Sequence, residues 1–305
     1  MKKQLFILIA AILAVAFTSS KEKLALNLTK GKTYNQNMVT ESTIKQQIQG
    51  QTMNIEMTIT ADMGYLVKEV TDQVFTMDVT YNKMAMKMSL PTGAMEYSSD
   101  KKVEGDLMST ILSNMINKPF TIKMSENGKV QEVTNIEKVF ESAFTDLPNI
   151  NEQQKQQILA QVMQSYGGDA IRGNLEMTTA LFPETEVSKG DSWDVTTTIE
   201  SGMTMTVKTT YTLTEVGPDY YLLNGVSTLE TAKDKVMDNM GMPMQYNLSG
   251  TMNATLKLSK STGWVMDGTI DQVITGEAVI QDNPQVPGGM SIPMELNNKM
   301  TISGQ

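Results

Sequence analysis

Two landmarks occur twice in this chain, in the same order. Lys30-Gly31-Lys32-Thr33-Tyr34 stands near the start and Lys189-Gly190-Asp191-Ser192-Trp193 past the middle. Each is Lys-Gly, two residues, then an aromatic that opens a run of alternating apolar and polar residues. Thr121-Ile122-Lys123-Met124-Ser125 then leads into Gly128-Lys129-Val130, as Thr255-Leu256-Lys257-Leu258-Ser259 leads into Gly263-Trp264-Val265. The order predicts an internal duplication of one β-unit, which constrains the whole fold.

The runs between the landmarks have period two. Met53, Ile55, Met57, Ile59, Ala61 and Met63 point one way, against Thr52, Asn54, Glu56, Thr58, Thr60 and Asp62. Met203, Met205, Val207, Tyr211 and Leu213 oppose Thr204, Thr206, Lys208, Thr210 and Thr212, and 244–258 and 290–302 repeat the pattern. Such alternation means antiparallel strands with one buried and one wet face. A strand over 244–258 spans about 50 Å at ~3.4 Å per residue, too long to stay flat, and Gly250 is the expected bend or bulge. The apolar phase slips between Tyr81 and Met84, placing a turn or bulge at Asn82-Lys83.

Helices are expected between the two β-units. Asp106 caps a short one carrying Leu107, Met108, Ile111, Leu112 and Met115, ended by Pro119. Thr134 and Glu137 form a capping-box pattern before Ile136, Val139, Phe140, Ala143, Phe144 and Leu147, stopped by Pro148. A third helix starts near Asn151 and shows Ile158, Leu159, Val162, Met163 and Tyr166 before Gly167-Gly168. Each has one apolar stripe, suited to covering a sheet or groove.

The N-terminus bounds the compartment. Met1-Lys2-Lys3, an apolar stretch from Leu5 to Phe17, and Thr18-Ser19-Ser20 predict a secretory signal peptide over 1–20, with an uncleaved anchor as the alternative. The chain has no cysteine, which excludes a cysteine-linked lipid and disulfides, so the expected product is soluble, periplasmic or secreted, and not a lipoprotein. With 25 basic against 34 acidic residues and a single arginine, Arg172, neither nucleic acid nor an anionic membrane surface is an expected partner.

Leu24, Leu26 and Leu28 before Lys30-Gly31-Lys32-Thr33-Tyr34, and Phe182-Pro183 before Val187-Ser188-Lys189-Gly190-Asp191-Ser192-Trp193, resemble an uncharacterised family of exported Bacteroidota proteins, a domain of unknown function. Members often follow a lipoprotein signal, from which this chain departs by lacking the anchoring cysteine. The resemblance implies no catalytic residues. More loosely, long curved strands with covering helices are similar to bacterial lipid and lipoprotein carriers of the LolA and LolB type, an analogy of architecture.

Catalytic chemistry has few carriers. With no histidine and no cysteine, histidine triads, thiol nucleophiles and the common zinc sites are absent. Ser42-Thr43-Ile44-Lys45 matches a Ser-x-x-Lys pattern, but in a strand the two side chains fall on opposite faces. Asp234 with Asp238, and Asp267 with Asp271, lack a clustering signature and read as solvated charges. No enzyme activity, cofactor or metal site is expected.

Methionine is the outlier, at 26 of 305 residues. Three readings stand: gap-filling in a core, a pliant cavity for apolar ligands, and a thioether site for monovalent copper or silver. The expected ligand-lining set is Met53, Met57, Met84, Met86, Met88, Met203, Met205, Met244, Met252 and Met266. The expected fold is α+β and predominantly antiparallel, with two related β-units forming long curved sheets covered on one face by amphipathic helices. It is one domain over 21–305, with β-unit one at 23–133, a helical insert at 134–180 and β-unit two at 181–305. The expected function is non-catalytic sheltering of an apolar, lipid-like ligand or lipidated partner. A structural or protein-binding envelope domain is the alternative.

Overall fold

Each alternating segment becomes a strand of one sheet. In this computed structural model the described residues are 21–48, 50–101, 106–145, 151–232, 235–239 and 242–305. The segment read as a signal peptide lies outside them, as do Leu147, Pro148, Asp234 and Met240. In chain order the elements are β1 (Thr33–Ile48), β2 (Gln51–Thr71), β3 (Val74–Leu90), β4 (Gly93–Ser98), α1 (Leu107–Met115), β5 (Phe120–Ser125) and β6 (Val130–Thr134), followed by α2 (Ile136–Ala143), α3 (Glu152–Tyr166) and α4 (Gly168–Thr179). Then come β7 (Ser192–Glu200), β8 (Thr204–Val216), β9 (Tyr220–Thr231), β10 (Val236–Asn239), β11 (Met242–Ser259), β12 (Val265–Ile280) and β13 (Met290–Gly304).

The sheet runs β6-β5-β3-β2-β1-β13-β12-β11-β9-β8-β7, with β4 paired to β3 and β10 to β11. The repeat is visible in this order. Its first half reads 6-5-3-2-1 and its second 12-11-9-8-7, the same sequence of hairpins, and β13 joins them by pairing with both β1 and β12. The recurring landmarks are the equivalent turns. Gly128 and Gly263, both at positive φ, close β5–β6 and β11–β12. The N-terminal segment hydrogen-bonds to both, Leu26 N–H to the Glu126 carbonyl and Asn27 N–H to that of Thr262.

Local irregularities follow the sequence in one place and not in another. Asp62 pairs with Lys83 but Met63 with Tyr81, so Asn82 is the extra residue of a bulge. Gly250 is not a bulge. Its register runs unbroken to Ile274 and Leu229, and the shift in β11 falls at Lys257/Leu258 instead. What needs glycine there is close approach, since a Cβ would lie 2.2 Å from the Val273 carbonyl oxygen.

The helices close the open side of the sheet. Asp106 caps α1 as its spacing requires, accepting from Ser109 N–H at 3.0 Å. The capping box expected at Thr134 and Glu137 does not form. Thr134 is the last residue of β6, and Asn135 stands instead at the cap position before α2, in a left-handed conformation with no side-chain cap hydrogen bond. A capping box does form at Asn151 and Gln154, at the head of α3. After Gly167 the chain starts again as α4, which no apolar stripe announces because its buried residues surround the helix.

Helix α4 lies between the two edge strands of the sheet and contacts both β6 and β7. Glu176 accepts from the Val130 N–H of β6 at 2.9 Å, and Thr179 donates to the Gly128 carbonyl at 2.8 Å. Lys129 reaches across to the Thr196 carbonyl of β7 at 3.0 Å. At Gly173 the helix touches the β7 backbone, where a Cβ would sit 2.5 Å from the Thr198 carbonyl oxygen.

The end of the half-barrel at the Gly128 and Gly263 turns is solid. Leu24, Leu26, Leu28, Leu181 and Phe182 pack there against Tyr65, Phe75, Phe120, Ile122 and Trp264. The Trp264 ring meets Tyr65 edge-on at 5.0 Å and Tyr34 at 5.5 Å. Tyr34 Oη accepts from the Thr29 N–H at 3.1 Å and Trp193 donates its indole N–H to the Leu181 carbonyl at 2.9 Å, so each landmark aromatic ties its strand to the segment before it.

Two outcomes test this closure. Gly173→Ala gains about 1 kcal/mol of helix propensity but drives a methyl into backbone, so a net loss of about 1–3 kcal/mol is expected in urea denaturation. Burial also raises the Tyr65 and Tyr211 phenols above their ordinary range. The folded state therefore keeps protons that the unfolded chain loses. Stability present below pH ~10 should fall as pH rises further, by up to about 1.4 kcal/mol per unit per tyrosine, read from urea midpoints between pH 8 and 11.

Candidate functional site

The two faces of the sheet differ in charge. Along β1–β3, β8, β9 and β11–β13, no inward position holds Asp, Glu, Lys or Arg. The charges stand outside, where they form pairs such as Lys45–Glu295 at 3.2 Å and Lys123–Glu132 at 2.6 Å. Ser42 is inward and Lys45 outward, so the Ser-x-x-Lys pair never meets. Asp267 and Asp271 are exposed on the outer face.

Register sorts the inward methionines into rows. Met88, Met57 and Met252 share one that runs Met88–Met57–Ser42–Asn298–Gln272–Met252 across six neighbouring strands. Two rows further from the closed end, Met53 and Met205 stand on one line through Gln46, Met294, Gly276, Leu248 and Thr231. Met86 faces Ile59 and Met84 faces Ala61 on the other side of the Met57 row. Met244 pairs with Ile280, and Met266 is the unpaired residue of the β11–β12 bulge.

Burial divides this set. Met252, Met205 and Met244 are buried, Met252 at 1% exposure. Met84 and Met203 are half-buried but packed against the main core. Met53, Met57, Met86 and Met88 are half-buried and belong to neither packed cluster, as do Ile44, Ile55 and Ile59 beside them. These residues form one continuous apolar wall on β1–β3, extended by Met95 and Tyr97 of β4, which pair with Met88 and Met86. Helix α1 borders it, tied to β4 by the Ser98 N–H donating to Ser109 Oγ at 3.0 Å. Met95, Leu107 and Met108 at this border are exposed.

A separate cleft of about 310 Å³ opens between α3, α4, the β7–β8 turn and β10. Met163, Met203 and Met237 line it, with Lys235 held to Glu200 at 3.7 Å at its edge. Only Met203 of these three was expected from sequence. Nothing in a single strand's alternation shows which residue of a helix or a distant strand will face it. Among the described residues no group of three carboxylates converges on a metal-sized site.

Residues 72–265, more than half of the chain, match DUF6263, a family of unknown function, and the chain belongs to that family. This bears out the resemblance to an uncharacterised family read from the Lys-Gly landmarks. No curated protein matches the sequence. Among solved structures, one described as lipid–protein interactions in lipovitellin is similar over 92% of this chain at 9% identity and a TM-score of 0.49. The chain spans 25% of that protein's length. An outer membrane channel from Pseudomonas putida F1 is similar at 7% identity and a TM-score of 0.27, with 92% of this chain and 97% of that one covered. OmpF of Salmonella typhi in complex with daunomycin is similar at 8% identity and 0.22, with 92% and 100% covered. Likeness this weak says nothing about activity. Among the described residues no helix is long and apolar enough to cross a membrane.

Accessibility of the wall has a direct chemical readout, because a thioether oxidises where peroxide reaches it. Mild hydrogen peroxide should convert Met57, Met86, Met88 and Met95 to sulfoxides well before Met63, Met77, Met124 and Met252. Peptide mass spectrometry at graded oxidant checks the order, and simultaneous oxidation of both groups would show that the wall is no more open than the core.

Proposed function

We propose that this member of a family of unknown function is a non-catalytic exported protein that shelters an apolar, lipid-like molecule against the methionine-rich inner wall of β1–β4. The observation that carries the reading is one surface: Ile44, Met53, Ile55, Met57, Ile59, Met86 and Met88 share an uncharged inward face that neither packed cluster includes. A continuous apolar patch in contact with water marks a binding surface more often than chance. Flexible thioethers fit varied apolar shapes better than branched side chains do. Each methylene moved from water onto such a wall contributes about 0.8 kcal/mol, so a chain of about ten supplies about 8 kcal/mol before the cost of ordering it. Export is part of the proposal and rests on the basic and apolar N-terminal segment.

A second reading has its own support. Met163, Met203 and Met237 line one cleft, the kind of sulfur cluster that monovalent copper or silver selects. Titration with silver(I), followed by calorimetry, separates it. One-site uptake that Met203→Leu removes supports a thioether centre, and absence of uptake rejects it.

For the apolar reading the test is uptake of a fluorescent hydrocarbon probe. Met57→Leu keeps volume and polarity, so affinity should stay within about twofold. Met57→Lys places an ammonium on the wall and should lower affinity about tenfold or more while circular dichroism is unchanged. If both variants bind the probe as the parent does, β1–β4 hold no ligand.

A further inference from the structure

One row of the inner wall is polar, and an apolar ligand alone leaves it without a use. In register, Thr209, Ser227, Met252, Gln272, Asn298 and Ser42 stand side by side on β8, β9, β11, β12, β13 and β1. The rows on either side are largely apolar, with Ala254, Ile270 and Met300 on one flank and Leu229, Ile274 and Leu296 on the other. At the β8 end the belt satisfies itself, since the Thr209 and Ser227 hydroxyls hydrogen-bond at 2.8 Å and both are buried. At the other end it does not. Asn298 Nδ2 donates to Gln272 Oε1 at 2.6 Å. The Gln272 side-chain N–H₂, the Asn298 side-chain oxygen Oδ1 and the Ser42 hydroxyl make no further side-chain hydrogen bond among the described residues. Gln272 and Asn298 are only half-buried, so their side-chain amides remain reachable, while Ser42 beside them is buried at 9% exposure. The same row continues directly into Met57 and Met88.

We propose that Ser42, Asn298 and Gln272 hold the uncharged, hydrogen-bonding head of an amphiphile whose single apolar chain lies on Met57, Met88, Ile55 and Ile59. The inference rests on the apolar-ligand reading and narrows it. Three groups offer both donors and acceptors, which suits hydroxyls, esters and amides. Among the described residues the inward positions of these strands carry no cation, so a carboxylate or phosphate head placed here would be desolvated without a counter-charge. The ligand class is therefore monoacylglycerol-like, fatty-alcohol-like or fatty-amide-like, and excludes ionised fatty acids and phospholipids.

Competition among amphiphiles of one chain length tests it at pH 8, using displacement of N-phenyl-1-naphthylamine from the purified protein. 1-Decanoylglycerol should displace the dye at about tenfold lower concentration than decanoate or decylphosphocholine. The double variant Gln272→Leu/Asn298→Leu should still take up the dye and lose that preference about five- to tenfold, as removal of hydrogen bonds to a neutral group implies. Equal displacement by decanoylglycerol and decanoate from the parent overturns the proposal without any variant having to fold. So does a folded double variant that keeps the preference. If the parent takes up neither dye nor amphiphile, the apolar-ligand reading fails and the belt with it, a result distinct from dye uptake without head-group preference.

Discussion

An odd number of antiparallel strands leaves two edges that run the same way. The main path of this sheet has eleven, every adjacent pair antiparallel, so β6 and β7 are parallel to one another. Curvature alone therefore cannot close the sheet with the ladder used everywhere else in it, and exposed edges invite pairing with other chains. Helix α4 answers both difficulties. It occupies the gap, uses Glu176 to satisfy a β6 N–H, and lets its Gly173 rest on the β7 backbone. The rest of the helical layer follows from that placement, as α3 contacts α4, α2 contacts α3 and α1 joins α2 to β3 and β4.

The strands were legible because their cause is local. Period two over long segments such as 53–63 or 244–258 fixes both strand and face, and the structure keeps every such face on the expected side. The bulge at Asn82 was legible for the same reason, as a phase slip. The duplication was legible from turns, since Gly128 and Gly263 recur with their flanking strands. What failed had a non-local cause. Helix α4 contains Gly168 and Gly173 and buries Ala170, Ile171, Leu175, Thr178 and Thr179, a pattern explained by neighbours on several sides and by no amphipathic stripe. Thr134 has the spacing of a helix cap, with Glu137 three residues on, yet it pairs with Thr121 as a strand. Sequence spacing could not decide between the two partners.

The candidate wall was half legible. Alternation placed Met53, Met57, Met86 and Met88 inward, but inward is not the same as covered. Which inward residues meet a packed partner depends on where the N-terminal segment and the helices end. They fill the region of Met63, Met77 and Met124 and leave the far half of β1–β3 outside the clusters. The belt of Ser42, Gln272 and Asn298 was invisible for a different reason. These residues are more than two hundred positions apart at the extremes, and only the β1–β13 and β12–β13 registers bring them into line.

Methionine content by itself therefore decides little. Met77, Met124 and Met252 sit at 0–1% exposure and do what leucine does in any core. Strand propensity favours branched residues at inward positions, and the covered part of β12 uses Ile270 and Ile274 there. Met57 and Met88 occupy inward positions in the same sheet, yet they face one another on a wall that neither packed cluster of the described residues includes. A branched side chain is stiff there and keeps one shape, whereas an unbranched thioether has three rotatable bonds and can follow whatever covers it. The distinguishing feature is thus the pairing of a flexible residue with an uncovered position, and it is the position, supplied by the length of strands that outrun their helices, that gives the residue its meaning.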